Sequence, residues 1–497
     1  MRVHANIHAH VEASDQPPAR LRRDLLVLLF AAAALFTANI ERLSLTALDD
    51  CAYARKGVEM ARSGRFYTVT FNGHVTTQHP PLQLWLLGRS FAAFGENDFA
   101  ARLPSVLMAL GILLGVYRIG SEIWGERTGV TAVALLLVSP FFVGNARRCM
   151  LDIPLAFWVV LSVLVLLEGR RRPWAHALIA IPLGAAILTK SVLGLLPVVL
   201  LLGAAPFSAT VRAWLARGWI WAGITGGLAL GASWIAHQWL SFGSETVMVH
   251  LHDELLRRST ASLSLLRRFT DYPKVLVESY EPVAPLAAVG ALLVARGFRQ
   301  RRQDLGVLLA LWAFLPVIAY SFSNARSPRY LFPIFPGLAL CAALFLEEKW
   351  PRGTHAVRRA VVPALALLFA AALWVKPSLL RREGTVLFKS EAARFRQWNP
   401  GGEAIPYVGD SHWGIANPLL YYTETAVDAF GATAEQAVAR ARASRSGLLI
   451  ADHSRLPEVR ERAGEVEILL EGPSWLLLRL DPRRRRGLDS PLPAVGA

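Results

Sequence analysis

LLVLLFAAAALFTANIERLSLTALDDCAYARKGVEMARSG, residues 25–64, sets an apolar block directly before two adjacent carboxylates, Asp49 and Asp50. As a helix, Leu25 to about Leu43 is long enough to cross a bilayer core of about 30 Å. It lacks a small-x-small cleavage site, so it reads as a retained span and not as a signal peptide. The polar stretch behind it is basic and aromatic and runs to about Pro104. An acidic pair at the membrane edge, followed by such a loop, points to chemistry at the bilayer surface.

Outward from this stretch the chain repeats the same kind of apolar block. Further spans are expected near 102–120, 128–145, 151–168, 174–189, 191–207, 218–240, 281–296, 305–323, 329–346 and 358–375. Of the 497 residues, 54% are hydrophobic and 18% charged, against about 25% charged in soluble domains. Mean hydropathy is +0.37. The fold class is a polytopic α-helical membrane protein with about 11 spans.

Net charge is +16. The basic clusters Arg20–Arg23, Arg170–Arg172, Arg296–Arg302 and Arg352–Arg359 flank apolar spans, as the positive-inside rule expects. They carry no interleaved aromatics, so nucleic acid is not an expected partner. The charges set 1–24 in the cytoplasm and send the loop 44–101 outward, within a membrane domain of 25–376. Arg147, Arg148, Arg257, Arg258, Arg267, Arg268, Arg326 and Arg329 then lie outside, against the rule. Cations kept on the disfavoured side fit either an anionic ligand such as a phosphate or pairing with headgroups and nearby acids.

Residues 377–482 mix strand and helix patterns and read as a small extracytoplasmic α/β domain. The basic tail 483–497 reads as disordered. Three cysteines, Cys51, Cys149 and Cys341, show no metal-ligand spacing and no disulfide framework. Cys51 and Cys149 fall on the same side, where either a bond or two separate thiols is consistent with the sequence. No internal repeat is evident, which weakens transporter folds built from inverted repeats.

Within the loop, Thr46 to Arg62 is helix-compatible with Gly64 as its stop. Asp49 and Asp50 fall in the first turn, where the helix dipole favours carboxylates. Asp49, Tyr53, Gly57 and Met60 share a face. By position alone, both acids are as well explained as helix caps. FYTVTFNGHVTTQ follows, extended, with Asn72-Gly73 as a turn. Pro80 and Pro81 then open a second, interfacial helix, whose N-terminus beside Gln78 and His79 suits an anion.

These residues resemble the C-type membrane glycosyltransferases of the aminoarabinose-transferase and protein-O-mannosyltransferase kind. That family carries D-E-x-x-Y-A-x-x-x-x-E-M-x-x-x-G, matched by Asp49, Asp50, Tyr53, Ala54, Glu59, Met60 and Gly64. Its K-P-P-L-x-x-W-L element is matched by His79, Pro80, Pro81, Leu82, Trp85 and Leu86. F-G-x-x-x-x-A-A-R-L-P is matched by Phe94, Gly95, Ala100, Ala101, Arg102, Leu103 and Pro104. RRCMLDIPLAFW, LTKSVLGLLP and SPRYLFPIFPGLAL resemble later family segments, giving Arg147 (or Arg148), Asp152, Lys190, Arg329 and Tyr330. HLHDELLRRS loosely resembles an outward E-H-x-x-R element, giving Glu254 and Arg257. Two departures stand out: His79 replaces the usual Lys, and Gln78 the frequent acid.

The resemblance implies transfer of a sugar from a polyprenyl-phosphate donor to an extracytoplasmic acceptor, such as lipid A, a protein or another envelope glycan, at the inner membrane. It implies inversion in one displacement. Asp49 stands at the position of the family's catalytic acid and would act as base or positioning group. Asp50, Tyr53 and Asp152 would orient the acceptor or the site. His79, Arg147, Lys190, Arg257, Arg329 and Tyr330 would bind the donor phosphate, which needs positive charge as it leaves. Asp50 and Glu254 are candidate ligands for a divalent metal. Membrane lipids are expected partners. A transporter or flippase of a lipid-linked or anionic substrate is the alternative, and it predicts ionisable residues near span centres.

Overall fold

A computed structural model describes residues 18–42, 44–46, 49–251, 273–278, 280, 283–298, 304–321, 328–376, 386–409, 413–428 and 432–480. Arg257, Glu254, Arg258, Arg267, Arg268, Arg326 and the tail 483–497 lie outside the described residues. The chain divides into two compact units. One comprises Met1–Ile40, Met60–Val69 and Val75–Leu380, and the other Glu41–Glu59, Thr70–His74 and Arg381–Ala497. The start of the outward loop therefore belongs with the C-terminal segment, a grouping that the expected boundary at 377 does not contain.

The first unit is helical. Helix α1 spans Pro18–Thr37, starting seven residues before the expected block because the Arg/Asp-rich lead-in continues the helix. Leu28, Ala31, Ala32, Leu35 and Phe36 are buried, while Leu26 and Phe30 are 66% and 69% exposed. That leaves one flank to lipid. Helix α2 (Asp49–Ser63) crosses from one unit to the other. Its stop is Gly64, at φ 66°, a left-handed conformation that only glycine adopts cheaply. Strands β1 (Thr70–Phe71) and β2 (His74–Val75) pair across Asn72 and Gly73, both at positive φ. That is the signature of a two-residue hairpin turn. Helix α3 (Leu82–Phe94) follows, with Pro81 at its N-cap.

Helix α4 (Asp98–Trp124) is capped by Asn97, whose side chain accepts from the Ala100 amide at 2.8 Å. The expected span 128–145 is instead two helices, α5 (Glu126–Leu137) and α6 (Pro140–Ala146), bent by 77°. Pro140 is the cause: it disfavours helical geometry in the residue before it and lacks an amide donor. Ser139 caps the new helix by accepting from the Phe142 amide at 3.2 Å. Helix α7 (Asp152–Glu168) begins six residues beyond the end of α6 at Ala146.

Five helices are long and apolar enough to cross a membrane among the described residues, or six if the bent pair is one span. One of the five, the 32-residue run Pro173–Ala204, is not straight. Helix α8 (Ala180–Lys190) ends at Ser191, where φ is 49°, and helix α9 (Leu196–Ala204) follows a short 3-10 turn. A Cβ placed on Gly194 would lie 2.3 Å from the Ile187 amide nitrogen. In a straight helix residues seven apart are about 10 Å apart, so the chain folds back on α8. By Arg217 it has returned: Nη1 donates to the Gly169 carbonyl at 3.3 Å. Next, Gly218–Phe242 packs on α8 through a glycine seam. A Cβ on Gly227 would meet Leu183 at 2.8 Å, and one on Gly231 would meet Ile187 at 2.5 Å. Small residues at this spacing let helix backbones approach closely in lipid. Val283–Phe298, Gly306–Ser321, Phe335–Lys349 and Val362–Val375 complete the unit.

The second unit carries a five-stranded sheet in the order β4-β3-β5-β7-β6. Its strands are β3 (Ile405–Val408), β4 (Val427–Asp428), β5 (Leu448–Asp452), β6 (Val466–Glu471) and β7 (Trp475–Leu480). β3 runs parallel to β4 and β5, and β7 antiparallel to β5 and β6. Helix Ala434–Ala443 opens with a reciprocal capping box between Thr433 and Gln436, satisfying two amides at once. Segment 41–59 is tied into this unit. The Leu45 amide donates to the Tyr422 hydroxyl at 2.6 Å, and Lys389 Nζ to the Glu41 carbonyl at 2.5 Å.

Candidate active site

In the second unit, α2 presents the loop motif. Asp49 is half-buried in the first turn, and Asp50 is fully buried. Tyr53 is 6% exposed one turn on. Glu59 has a structural task. Arg55 Nε reaches its Oε1 at 2.8 Å, and the Asn72 and Gly73 amides donate to Oε1 and Oε2 at 2.8 and 3.2 Å. A single carboxylate thus fastens the hairpin tip to the helix, and a turn with two bonded amides is held in one register. Cys51 Sγ donates to the Thr46 carbonyl at 3.3 Å.

Lys56 lies on the same helix but was not singled out by the sequence motifs. It is only 2% exposed, with its ammonium 5.4 Å from the Phe71 ring centroid. Burial pushes its ammonium down to about 8, against the opposing pull of Asp49 and Glu59. The available signal was its i+7 spacing from Asp49.

In the first unit, three sequence-selected residues converge. Asp152 sits in the first turn of α7 and is 1% exposed. Lys190, at the apex where α8 folds back, places Nζ 2.5 Å from Asp152 Oδ1. The same ammonium lies 5.3 Å from the centroid of the Tyr330 ring. Neighbouring Arg329 points Nη1 at Met150 Sδ, 3.8 Å away. Arg329 and Tyr330 ride on the 3-10 turn Pro328–Ile334. That turn is braced by stacking of Phe332 on Phe142 and Phe335, with centroids 5.8 and 5.2 Å apart, and by Trp312 Nε1 donating to the Pro333 carbonyl at 2.8 Å. The cations therefore stand on rigid supports, which suits recognition of a fixed anion.

Arg147, expected on the donor phosphate, has a different setting. It is 5% exposed, and its two terminal nitrogens donate to the Leu35 and Ala38 carbonyls. Arg102 Nη1 donates to the Ile40 carbonyl at 2.5 Å. Arg147 thus satisfies one of the orphan carbonyls at the C-terminus of α1, and both arginines hold the turn just beyond it, where the helix dipole favours cations. His79 is half-buried in the segment leading to α3. No group of three or more His, Cys, Asp or Glu side chains able to hold a metal occurs among the described residues. Asp50 thus has no such cluster around it, and its fellow candidate Glu254 lies outside the described residues.

Comparison with known proteins follows these residues. The model of the dolichyl-phosphate-mannose-protein mannosyltransferase family matches residues 78–237. An undecaprenyl phosphate-alpha-4-amino-4-deoxy-L-arabinose arabinosyl transferase of Pseudomonas aeruginosa (strain LESB58) is 28% identical over 372 residues, covering 71% of this chain and 65% of that protein. An uncharacterized protein of Aquifex aeolicus is 26% identical over 338 residues, covering 66% of this chain and 65% of its own length. The chain thus spans about two thirds of the length of these curated relatives, at 65%. ArnT from Cupriavidus metallidurans bound to undecaprenyl phosphate superposes with a TM-score of 0.72 at 16% identity, covering 94% of this chain and 99% of that one. Archaeal oligosaccharyltransferase AglB from Archaeoglobus fulgidus, in complex with an inhibitory peptide and a dolichol-phosphate, gives 0.54 at 13% identity, covering 87% and 69%.

The fold is the one seen in ArnT and AglB, built on apolar helices long enough to cross a membrane. In sequence the chain is similar to the dolichyl-phosphate-mannose-protein mannosyltransferase family over residues 78–237 and to an aminoarabinose transferase over 71% of its length.

Proposed function

We propose that the chain moves a sugar from a polyprenyl-phosphate donor to an extracytoplasmic acceptor, such as lipid A, a protein or another envelope glycan, by one inverting displacement. The observation that carries this reading is the Lys190–Asp152 pair set against Tyr330, with Arg329 beside it. Such a cluster offers fixed positive charge to a phosphate leaving group. Asp49 serves as base or positions the attacking hydroxyl, with Asp50 and Tyr53 shaping its surroundings. A lipid phosphate leaves readily, so no acid across the bond is needed, in contrast to glycosidases. Stabilising its developing charge is the larger task, assigned to Lys190 and Arg329, with Arg257 and His79 contributing. His79 adds charge only when protonated. Asp152 aims Lys190.

Similarity to the mannosyltransferase family model over 78–237 and to an arabinosyl transferase supports this class of reaction over the transporter or flippase reading. In this reading the protein sits in the inner membrane with about 11 spans. Residues 1–24 are cytoplasmic, and the α/β domain 377–482 is extracytoplasmic. The fold-back at Ser191 supports counting 174–189 and 191–207 as two passes.

The test is transfer by purified protein in proteoliposomes. Radiolabelled undecaprenyl-phosphate aminoarabinose and polyprenyl-phosphate mannose are offered with lipid A or with peptide. Label is expected in one acceptor, and none with Asp49→Asn. Lipid crossing the vesicle without any transfer would establish the flippase reading instead.

A further inference from the structure

Lysines seldom bury: the four-carbon stem normally carries the ammonium out to water. Lys56 does the opposite, at 2% exposed beneath the Asn72-Gly73 hairpin. It follows Asp49 by seven residues and Tyr53 by three, so all three share one face of α2. Helical side chains lean toward the N-terminus. The Lys56 stem therefore runs back over the Tyr53 turn in the direction of Asp49. The Phe71 ring, on β1, has its centroid 5.4 Å from the ammonium, a cation–π contact that is strongest when desolvated.

Among the described residues, the carboxylates acting on Lys56 are Asp49 and Glu59, both on its own helix. The hairpin contributes the Phe71 ring, and its His74 is exposed. Glu59 is committed to Arg55 and to the two turn amides. Of the two, Asp49 exerts the larger pull on the buried ammonium. We infer that Lys56 is a positioning residue for Asp49, orienting that carboxylate from within the same helix. Burial brings the lysine down to about 8, so above that pH the counter-cation is lost and Asp49 loses its electrostatic support.

The inference rests on the role proposed for Asp49, but it can be tested apart from it. The chain holds six lysines, so [6-13C]-lysine labelling gives a countable set of resonances, and Lys56→Arg identifies the one that belongs to Lys56. That resonance is expected to titrate near pH 8, and at lower pH in Asp49→Asn, which removes the supporting charge. An identical midpoint in both proteins overturns the coupling, whatever the substrate is.

In the transfer assay, Lys56→Met is expected to lower kcat about tenfold with the donor KM unchanged, because a misaimed carboxylate loses the near-attack geometry. Lys56→Arg should keep activity and carry the alkaline limb of the pH–rate profile well above 8, because guanidinium stays charged. If Lys56→Met does not accumulate, the Arg variant decides: an alkaline limb left in place refutes the inference. Full activity in Lys56→Met beside an inactive Asp49→Asn sinks this inference alone. Full activity in Asp49→Asn sinks the proposed mechanism.

Discussion

Lys190 Nζ and Asp152 Oδ1 lie 2.5 Å apart, joining the apex of the fold-back at Ser191 to the first turn of α7. The carboxylate is 1% exposed, and a buried charge that loses its partner costs about 3–5 kcal/mol. Lys190→Met is therefore expected to lower thermal stability in detergent and to abolish transfer. The double variant Lys190→Met/Asp152→Leu should recover the stability and stay inactive. Recovery of transfer in the double variant would show that the ammonium is not needed for the donor.

Asp49→Asn keeps shape and removes the proposed base. A drop in kcat of about 10²–10⁴-fold is expected, with the melting temperature close to that of the native chain. A loss confined to KM would assign Asp49 to binding.

Arg147 provides a contrast to Lys190. Its guanidinium is turned into the end of α1, onto the Leu35 and Ala38 carbonyls. Arg147→Met should cost about 1–3 kcal/mol for each charged hydrogen bond lost, read as a lower melting temperature. Donor KM should not move. A raised donor KM with unchanged stability would return Arg147 to the phosphate.

Gly194→Val tests the fold-back. The added Cβ would fall 2.3–2.5 Å from backbone atoms of Ala186 and Ile187, and backbone cannot swing aside as a side chain can. Overpacking of this kind costs about 1–3 kcal/mol. Native stability in this variant would mean that 173–204 runs straight.

Activity and stability should respond to alkali with opposite signs. The Lys56 proton is held to about 8 in the folded chain and to 10.5 ordinarily. Between those values the unfolded chain binds the extra proton, so stability contributed by this group rises with pH. Over the same window transfer falls. Melting curves and rates at pH 7.5 and 9.5, each compared with Lys56→Met, separate the two. A parallel fall of both in the native chain alone would contradict the sign.

Local signals carried the sequence reading furthest where the chemistry is local. Gly64, Asn72-Gly73 and Pro81 each impose a backbone conformation by themselves, and helix α2, the hairpin and helix α3 begin and end around them. Pro140 was equally visible, but an apolar run of suitable length outweighed it, and the 77° break was missed. Lys56 was illegible for another reason. A lone lysine on a helix normally signals a wet face, and its burial depends on Phe71, fifteen residues away across a turn. Arg147 matched a family segment, yet the carbonyls that hold it belong to α1, more than a hundred residues upstream.

Residues 41–59 form one compact unit with the chain's last hundred or so residues, joined through Tyr422 and Lys389. Anyone shortening this protein, or grafting a relative's terminal domain onto it, would also disturb the ground on which Asp49 stands. Two stretches some 330 residues apart must therefore be inherited, exchanged or engineered together. A cut that looks like trimming an appendage is a cut into the unit that holds the proposed base.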